Sequence, residues 1–443
     1  MIGTQDRWQG ELFVSGSLRD LIPDEHVLRR VDRVLDRSWL RDAVTDCYCE
    51  DHGRPGIDPE AAVRLMLAGF LCGIVHDRKL MREAQVNLAI RWFAGYRLHA
   101  ALPDHSSLTR IRQRWGEQRF RAVFQRTVRA CLEAGIATGE VVHIDATLIR
   151  ADVSWESLAA RHVSAVAEAN DAVELSQSGT PKRISATDPD ATLAKADRRV
   201  SAQPSYKQHT AVDDLAGVVV DVVVTTGATS EGDWFAAQLE NVASQTGRAI
   251  ATVTADAGYA YAKIYAVAES AGIKAVVPPK AEPPPKSQVP LRRFKYDARH
   301  EIVRCPTGRV LRRSTRAPHG WFYRAKVADG RRCLLRETCL PRPHGSRSVV
   351  ISDGYAALLR ARRQRPRWTE REHALDRRHR WRSEGAHAEV KVQHGLRRAV
   401  RRRRWNVAIQ AYLTAAAMNL KRLAAWLSIF LLQARRPLII AGA

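Results

Sequence analysis

The sequence predicts an α/β protein (α+β, multidomain) in which a helical N-terminal domain precedes a mixed sheet that an insertion interrupts. Three observations lead to this fold class. Apolar residues recur at helical spacing in the first third of the chain, strand-like and helix-like runs then alternate, and a proline-rich stretch at 278–290 breaks that alternation. With 443 residues, 45% of them hydrophobic, the chain is long enough for two or three domains with sizeable cores.

Residues 1–135 are expected to form the helical domain. The segment 57–74 begins with Asp58 as a helix cap and Pro59 at the first helical position, and 103–136 is typical of one helix followed by another. The charged residues of that second segment are almost all positive. Its arginines are Arg110, Arg112, Arg114, Arg119, Arg121, Arg126 and Arg129. A solvated face would mix charges, so the pattern favours a bundle that binds a polyanion.

Residues 140–278 are expected to form the first part of an α/β core. A strand from 141 is followed by a hairpin at 207–227 and a helix at 230–247, and then by a strand, a helix and a strand. This order combines a meander with right-handed crossovers in one mixed five-stranded sheet.

The remainder divides into an insertion subdomain at 279–367, built from short strand-like pieces, and basic and apolar C-terminal helices at 368–433 that we expect to complete the core. The apolar run near the end is split by Lys421 and Arg422 into pieces too short to span a bilayer, so it is predicted to be buried in protein.

The net charge narrows the class of partner. A formal charge of +24 attracts polyanions, of which nucleic acid is the usual one and an anionic membrane surface the alternative. The first residues show no basic stretch followed by an apolar core, and the seven cysteines indicate a reducing cytosol.

Two aspartates end up in related positions of the predicted sheet. Alternation in "VVHIDATLI" places His143 and Asp145 on one face, and Asp256 ends the strand of "VTADAGY". An Asp before Gly is ordinary in turns. If the first and fourth strands are neighbours, however, the two carboxylates meet, repel and are best stabilised by a cation. Hard oxygen ligands with few neighbouring His or Cys residues suit Mg²⁺ or Mn²⁺ rather than zinc.

A third acid is expected from the basic helix at 376–406, which offers two candidates. At about 100° per residue, Glu384 falls within about 60° of Arg380, His387 and Lys391, whereas Glu389 falls on the opposite face. A catalytic acid should share a face with the cations that hold the scissile phosphate. We therefore choose Glu384 and expect Glu389 to be a solvent-side or packing residue that pairs with a nearby arginine, a contact usually of little energetic weight.

The motifs together resemble the bacterial insertion-sequence transposases of the Asp-Asp-Glu (DDE) class, which have a ribonuclease-H-like core. "GRPGIDPEAAVRLMLAGFLCGI", "NLAIRWFAGY" and "LPDHSSLTRIRQRW" are similar to the helical N-terminal domain of one transposase group, and "HIDATLIRADVS", "TDPDA", "YKQHTAVDD" and "TADAGYA" resemble its core motifs. The family signature Tyr-x2-Arg-x3-Glu-x6-Lys is met by Arg380, Glu384 and Lys391, with Arg377 in place of the tyrosine.

The resemblance implies a site, cofactors and partners. Asp145, Asp256 and Glu384 would be the metal-binding catalytic triad, holding two Mg²⁺ (or Mn²⁺) ions about 3.5–4 Å apart. Double-stranded DNA would be bound as terminal inverted repeat and as target, and the enzyme would be a cytoplasmic, nucleoid-associated homo-oligomer with no membrane partner. The expected DNA-binding residues are Arg380, Lys391, Lys207, Arg110, Arg112 and Arg114.

Alternatives remain open at this point. A non-catalytic DNA-binding descendant would have no need of three acids in a basic groove, and a metal-dependent nuclease that cuts without joining has the same sequence signals. Cys305, Cys333 and Cys339 suggest a metal knuckle in the insertion, with His344 as a fourth ligand. Because a structural zinc site requires four ligands, buried or free thiols are favoured over zinc.

Overall fold

The chain divides into two compact units. The helical unit comprises Met1–Ile136, Arg150–Asp190 and Glu389–Ala443, and the sheet unit comprises Ala137–Ile149 and Ala191–Ala388. The computed structural model describes residues 16–36, 38–49, 56–153, 158–161, 182–185, 187–195, 199–280, 289–340 and 345–434. Within these residues, no helix combines the length and apolarity needed to cross a membrane.

The helices are numbered in chain order. They are α1 (Val27–Asp32), α2 (Leu40–Val44), α3 (Pro59–Leu71), α4 (Asp77–Val86), α5 (Leu88–Phe93), α6 (His105–Glu133), α7 (Phe235–Thr246), α8 (Ala262–Ser270), α9 (Val327–Arg331), α10 (Arg336–Cys339), α11 (Tyr355–Gln364), α12 (Glu370–Val392) and α13 (Arg404–Ala434).

The strands follow the same order. They are β1 (Val141–Arg150), β2 (Leu158–Arg161), β3 (Lys182–Ser185), β4 (Thr192–Ala194), β5 (Gln203–Asp213), β6 (Val219–Thr226), β7 (Thr252–Thr254), β8 (Lys274–Val276), β9 (Lys295–Asp297), β10 (Ile302–Arg304), β11 (Val310–Ala317), β12 (Gly320–Arg324) and β13 (Ser348–Ser352).

The helix boundaries of the helical unit follow from local chemistry. Asp58 caps α3 as predicted, because its side chain accepts the N–H groups of Glu60 (2.7 Å) and Ala61 (3.2 Å). In α6, Gly116 adopts a φ of 69°, a left-handed conformation that glycine tolerates best. The kink there produces the two successive helices that the sequence predicted.

The last helix, α13, packs against α6 inside the helical unit. The ring of Tyr412 stacks on Phe124 at 6.1 Å, and Asn419 donates a hydrogen bond to the Thr127 hydroxyl. The predicted C-terminal segment 368–433 thus divides between the two units: its residues up to Ala388 belong to the sheet unit, and the rest belong to the helical unit. That the whole segment completes the core stays a prediction. An apolar helix face predicts burial, but it does not say which surface covers it.

The main sheet of the sheet unit has six strands. Five follow the order β6-β5-β1-β7-β8, with β5 and β6 antiparallel and β1, β7 and β8 parallel, which is the ribonuclease-H-like mixed sheet that the resemblance implied. The sixth strand, β4, pairs with the first residues of β5. The five-stranded prediction missed it because three residues in a polar stretch show no strand pattern.

The insertion forms a second, antiparallel sheet of order β13-β12-β11-β10-β9, which confirms a partly β subdomain. One face of this sheet is apolar and buried, with side chains from four of the strands: Val303, Leu311, Tyr323, Val349 and Ile351.

Helix α12 buries an unusual set of side chains in the sheet unit. Leu375 and Ala386 are apolar, but His379, Ser383 and His387 are also buried, at 5%, 1% and 8% exposure. Their spacing of four residues places them on one helix face. Buried polar groups require partners. Those of His379 and His387 lie on the main sheet, and Ser383 bonds to His379 within the helix.

Candidate active site

Two aspartates lie at the same edge of the main sheet. β1 and β7 are parallel neighbours, and His143 pairs in register with Thr254. Asp145 and Asp256 each follow two residues later in the sequence, so they emerge next to one another where β7 ends. The predicted neighbourhood of the first and fourth strands is thus confirmed.

Asp145 is held in place by two donors. Its Oδ1 accepts the N–H of Ala146 at 2.8 Å, and its Oδ2 lies 3.3 Å from Nδ1 of His387. Burial alone would raise the pKa of Asp145, but the hydrogen bond and charge of His387, together with the Ala146 N–H, hold that pKa below its usual value. These contacts favour the ionised form of Asp145.

Asp256 accepts a hydrogen bond within its turn and also lies close to Asp145. Its Oδ1 accepts the N–H of Gly258 at 2.8 Å, which is the ordinary turn chemistry of Asp before Gly. A Cβ at Gly258 would lie 2.6 Å from that oxygen, so a larger residue there would displace the Asp256 carboxylate. Burial, followed by the negative charge of Asp145, raises the pKa of Asp256. A second negative charge is thus disfavoured until a cation balances it.

A chain of hydrogen bonds fixes the elements behind these acids. Nε2 of His143 lies 2.9 Å from a carboxylate oxygen of Asp214, so this nitrogen carries the proton and Nδ1 accepts from the Thr254 hydroxyl at 2.6 Å. The Thr254 oxygen then accepts from Nδ1 of His379 at 2.8 Å. The chain thus joins β1, β7 and α12 through neutral imidazoles.

Burial explains why these imidazoles stay neutral. It lowers the pKa of His143 and lowers that of His379 to about 4, although nearby carboxylates oppose both shifts. A neutral ring has one donor and one acceptor nitrogen, which is what the chain requires.

Glu384 lies on α12 one turn before His387, but its carboxylate is exposed. It accepts from Nε of Arg380 at 3.1 and 3.2 Å, and both side chains are mostly in solvent. The structure therefore brings Asp145 and Asp256 together and leaves Glu384 at the rim of the buried face of α12. Its role as third ligand remains a prediction.

Glu389, the other candidate for the third acid, is paired with basic side chains. Within the helical unit it accepts from Arg422 at 2.9 Å and from Lys421 at 3.2 Å, and Nε2 of His394 lies 3.5 Å away. Burial would raise its pKa, but His394, Arg422 and Lys421 lower that pKa to about 2. Glu389 is a packing residue paired with an arginine, as predicted.

Several side chains near Asp145 and Asp256 were not predicted from the sequence. Glu231 lies 3.5 Å from Nζ of Lys207, and its pKa is raised first by burial and then, against Lys207, by the charges of Asp256 and Asp145. Glu231 sits in the turn before α7, where acids are ordinary, so the sequence offered no distinct signal. The four-residue spacing of His379, Ser383 and His387 was a signal, and it points to a polar buried face.

The fit of a divalent cation can be judged from these groups. In the part of the chain that the structure describes, no three His, Cys, Asp or Glu side chains are arranged to share a metal ion. The acid pair nevertheless carries the repulsion that a cation relieves. Beside it, the buried Tyr259 hydroxyl and Nε2 of His387 have no hydrogen-bond partner among the described residues. Unpaired polar atoms around two carboxylates fit a hydrated hard cation.

The cations predicted to bind DNA are placed differently from one another. Arg110 and Arg114 are exposed on α6, and Arg114 also covers the Tyr48 ring. Arg112 is corrected: it is 3% exposed and donates two 2.8 Å hydrogen bonds to Asp77, so it is not available to DNA. The sequence analysis missed this because a charged residue type does not show whether its side chain is buried. The partner of Arg112 also lies 35 residues earlier in the chain.

The other predicted DNA contacts lie nearer the acids or on α12. Lys207 points inward, where Nζ donates to the Thr229 carbonyl at 2.8 Å. Arg380 is exposed and paired with Glu384, and Lys391 is half-buried on the last turn of α12.

The three cysteines of the insertion line one cavity. The Thr307 hydroxyl lies 3.1 Å from Sγ of Cys305 and 3.9 Å from Sγ of Cys333, and Cys339 lines the same cavity. Burial raises the pKa of Cys339, and the neighbouring thiols raise it further against the charge of Arg347. His344, the suggested fourth ligand, lies outside the described residues.

Comparison with known proteins gives two family matches. Residues 16–114 match the model of a transposase domain (DUF772), and residues 138–420 match that of the transposase DDE domain. None of the curated protein sequences matches the chain.

Among solved structures, a Mos1 transposase paired-end complex with the left transposon end is 10% identical, with a TM-score of 0.17 over 52% of this chain and 61% of that one. A piggyBac transposase synaptic complex with hairpin DNA is 9% identical, with a TM-score of 0.28 over 94% of this chain and 80% of that one. The chain thus spans about three fifths of the Mos1 chain.

Proposed function

The chain belongs to the transposase DDE domain family, and we propose that it binds the terminal inverted repeats of an insertion sequence, cleaves the ends and joins them to target DNA. The observation that carries the chemistry is the acid pair. Asp145 and Asp256 emerge from parallel neighbouring strands, and burial, followed by the charge of Asp145, raises the pKa of Asp256.

Divalent cations complete this site. Asp145, Asp256 and Glu384 would hold two Mg²⁺ or Mn²⁺ ions, which when bound activate the attacking water or 3′-hydroxyl and stabilise the leaving oxygen. The structure supports this through the hard oxygen donors, the repulsion between the aspartates and the unpaired Tyr259 hydroxyl.

The residues behind the acids orient them. His387 directs one oxygen of Asp145, and the Asp214–His143–Thr254–His379 chain ties β1, β7 and α12 together. The relative positions of the ligand-bearing elements are thereby set before DNA arrives, and such pre-organisation is what a phosphodiester-cutting site needs.

Glu384 joins the site by exchanging partners. Its pair with Arg380 is an exposed i, i+4 contact, a kind worth about 0.3–0.5 kcal/mol. Because this contact is so weak, Glu384 can leave Arg380 at little energetic cost. The guanidinium of Arg380 is then free to hold a phosphate.

Recognition of the terminal repeat is assigned to residues 1–135. Arg110 and Arg114 are exposed on α6 and are the candidates for DNA contacts there, whereas Arg112 is buried. Synapsis of two ends implies a homo-oligomer on DNA. Strand-transfer products in a purified reaction distinguish the proposed transposase from a nuclease that only cuts.

The decisive experiment changes the charge of Asp256 while keeping its turn. In Asp256→Asn, the amide oxygen still accepts the Gly258 N–H, so folding and DNA binding are expected to persist while end cleavage is lost. Asp297→Asn is the matched control, because Asp297 also accepts two backbone N–H groups in a turn of the sheet unit. Cleavage near the unmodified rate in Asp256→Asn, or in Asp145→Ala, refutes the proposed site.

The same variants address the non-catalytic alternative. A protein that only binds DNA would lose no function in Asp256→Asn and would show no cleavage before the change. Cleavage by the unmodified chain in Mg²⁺ or Mn²⁺, abolished by a chelator, excludes it.

A further inference from the structure

The solvent face of the insertion sheet carries a row of cations. In-register pairs share a face, so the pairings Lys295–Arg304, Ile302–Arg312 and Arg312–Arg324 place Lys295, Arg304, Arg312 and Arg324 together. All four are exposed. They come from four consecutive strands, β9 to β12. We call this set the basic sheet face.

The arrangement is unfavourable for folding alone. Arg304 lies directly opposite Lys295, and Arg312 lies directly opposite Arg324. Like charges at directly opposed positions destabilise a sheet. Two such pairs on adjacent strands therefore call for a compensating anion.

Nearby acids do not supply that anion. Among the residues that the structure describes, no carboxylate lies within ion-pair distance of any cation of the basic sheet face. Asp297 shares the face, but it is engaged with His300 at 2.8 Å and with two backbone N–H groups.

The neighbouring arginines of the same strand show a different pattern. Arg313 pairs with Glu301, and Arg316 pairs with Asp353. Other arginines of β11 are therefore paired with carboxylates, whereas the cations of the basic sheet face have no carboxylate partner among the described residues.

Protection of an exposed sheet edge would explain only one of the four cations of the basic sheet face. A lysine on an edge strand such as β9 is a common device against sheet aggregation. Arg304, Arg312 and Arg324 lie on the interior strands β10, β11 and β12, where that device has no purpose.

We propose that the basic sheet face is a second DNA-binding surface, which holds the phosphate backbone of duplex DNA independently of sequence. This rests on the proposed function and adds a surface outside both the acid site and the N-terminal domain. Strands are about 4.8 Å apart, so the four cations extend over about 14 Å. One DNA strand presents a phosphate about every 3.4 Å of axis, so this length faces about four phosphates.

The test uses the full-length protein and a duplex of random sequence. The test variant is Arg312→Gln with Arg324→Gln, and the control is Arg248→Gln with Arg360→Gln. The control removes the same charge from exposed arginines of the sheet unit that are paired with Glu140 and Glu269. Affinity is measured between about 50 and 200 mM salt.

The test variant should show a salt slope less steep by about 1.8, because each phosphate that is no longer neutralised reduces the slope by about 0.9, and the control should keep the unmodified slope. The thermal midpoint of the test variant should be unchanged or higher, because the repulsion between Arg312 and Arg324 has been removed. Weaker binding with undiminished stability is a result that a structural role would not give.

Three outcomes overturn the proposal. The first is an unchanged slope in the test variant while the unmodified chain binds duplex, which leaves the cleavage proposal intact. The second is an equal decrease in test and control variants, which would reflect net charge alone. The third is weakened binding to anionic phospholipid vesicles with unchanged duplex binding, which would assign the face to a membrane surface.

Discussion

The two glutamates of α12 allow activity and stability to be separated in one experiment. Glu384 is exposed and accepts hydrogen bonds from Arg380, whereas Glu389 is enclosed by Arg422, Lys421 and His394. We predict that Glu384→Gln abolishes strand cleavage and strand transfer without loss of stability, and that Glu389→Gln does the reverse.

The magnitudes follow from the contacts. Glu384→Gln removes an exposed pair worth about 0.3–0.5 kcal/mol, while loss of a ligand to charge at the reacting phosphate lowers the rate by on the order of 100-fold. For Glu389, a pKa of about 2 against 4.5 corresponds to about 3 kcal/mol. Partial exposure reduces this to about 2 kcal/mol, or about 4–8 °C in the thermal midpoint.

The assay measures cleavage of a labelled terminal-repeat duplex in Mg²⁺ and a thermal melt of the same preparations. Glu389→Gln should cleave at the unmodified rate once corrected for the folded fraction. A stable and active Glu384→Gln together with an inactive Glu389→Gln would show that the third ligand has been assigned to the wrong glutamate.

Three further predictions concern other residues. Glu389 has a folded pKa below its unfolded value, so its contribution to stability is complete above about pH 4.5 and is lost as the pH falls towards 2; the difference in thermal midpoint between the unmodified chain and Glu389→Gln should shrink over that window and stay constant above it. Tyr259→Phe removes a buried hydroxyl without a partner among the described residues, so a melt should show equal or slightly higher stability while end cleavage falls, and unchanged cleavage would remove Tyr259 from the site. Arg112→Ala leaves Asp77 with Arg401 and one vacant side, which should cost about 3 kcal/mol or more, whereas Arg110→Ala should leave the melt unchanged and weaken repeat binding; equal effects on stability would contradict the burial assigned to Arg112.

The sequence was sufficient where a pattern is local. Alternation along β1, the hairpin of β5 and β6, and the β-α-β order predicted that Asp145 and Asp256 would be neighbours. The cap at Asp58 and the helix break near Gly116 are likewise set by residues adjacent in sequence. Helical periodicity alone placed Glu389 on the opposite face from Glu384.

The sequence was insufficient where the partner is distant. Nothing around Arg112 indicates Asp77, and nothing in the apolar run of α13 indicates α6 rather than the sheet. The position of Glu231 depends on how the turn before α7 folds over the sheet edge. Such contacts are selected by packing of whole elements, which periodicity does not encode.

The buried face of α12 shows why a catalytic helix departs from an amphipathic pattern. Apolar residues at 379, 383 and 387 would bury more surface and stabilise the helix by non-directional contact. The two histidines instead tie α12 to the sheet by directional contacts, through His379 to Thr254 and through His387 to Asp145, while Ser383 bonds to the His379 carbonyl. A directional link fixes the rotation of the helix about its axis, and that rotation decides whether Glu384, one turn before His387, lies within reach of the acid pair. The polar face thus gives up some hydrophobic stabilisation for control of the third ligand, so replacing His379 with leucine should preserve folding better than cleavage.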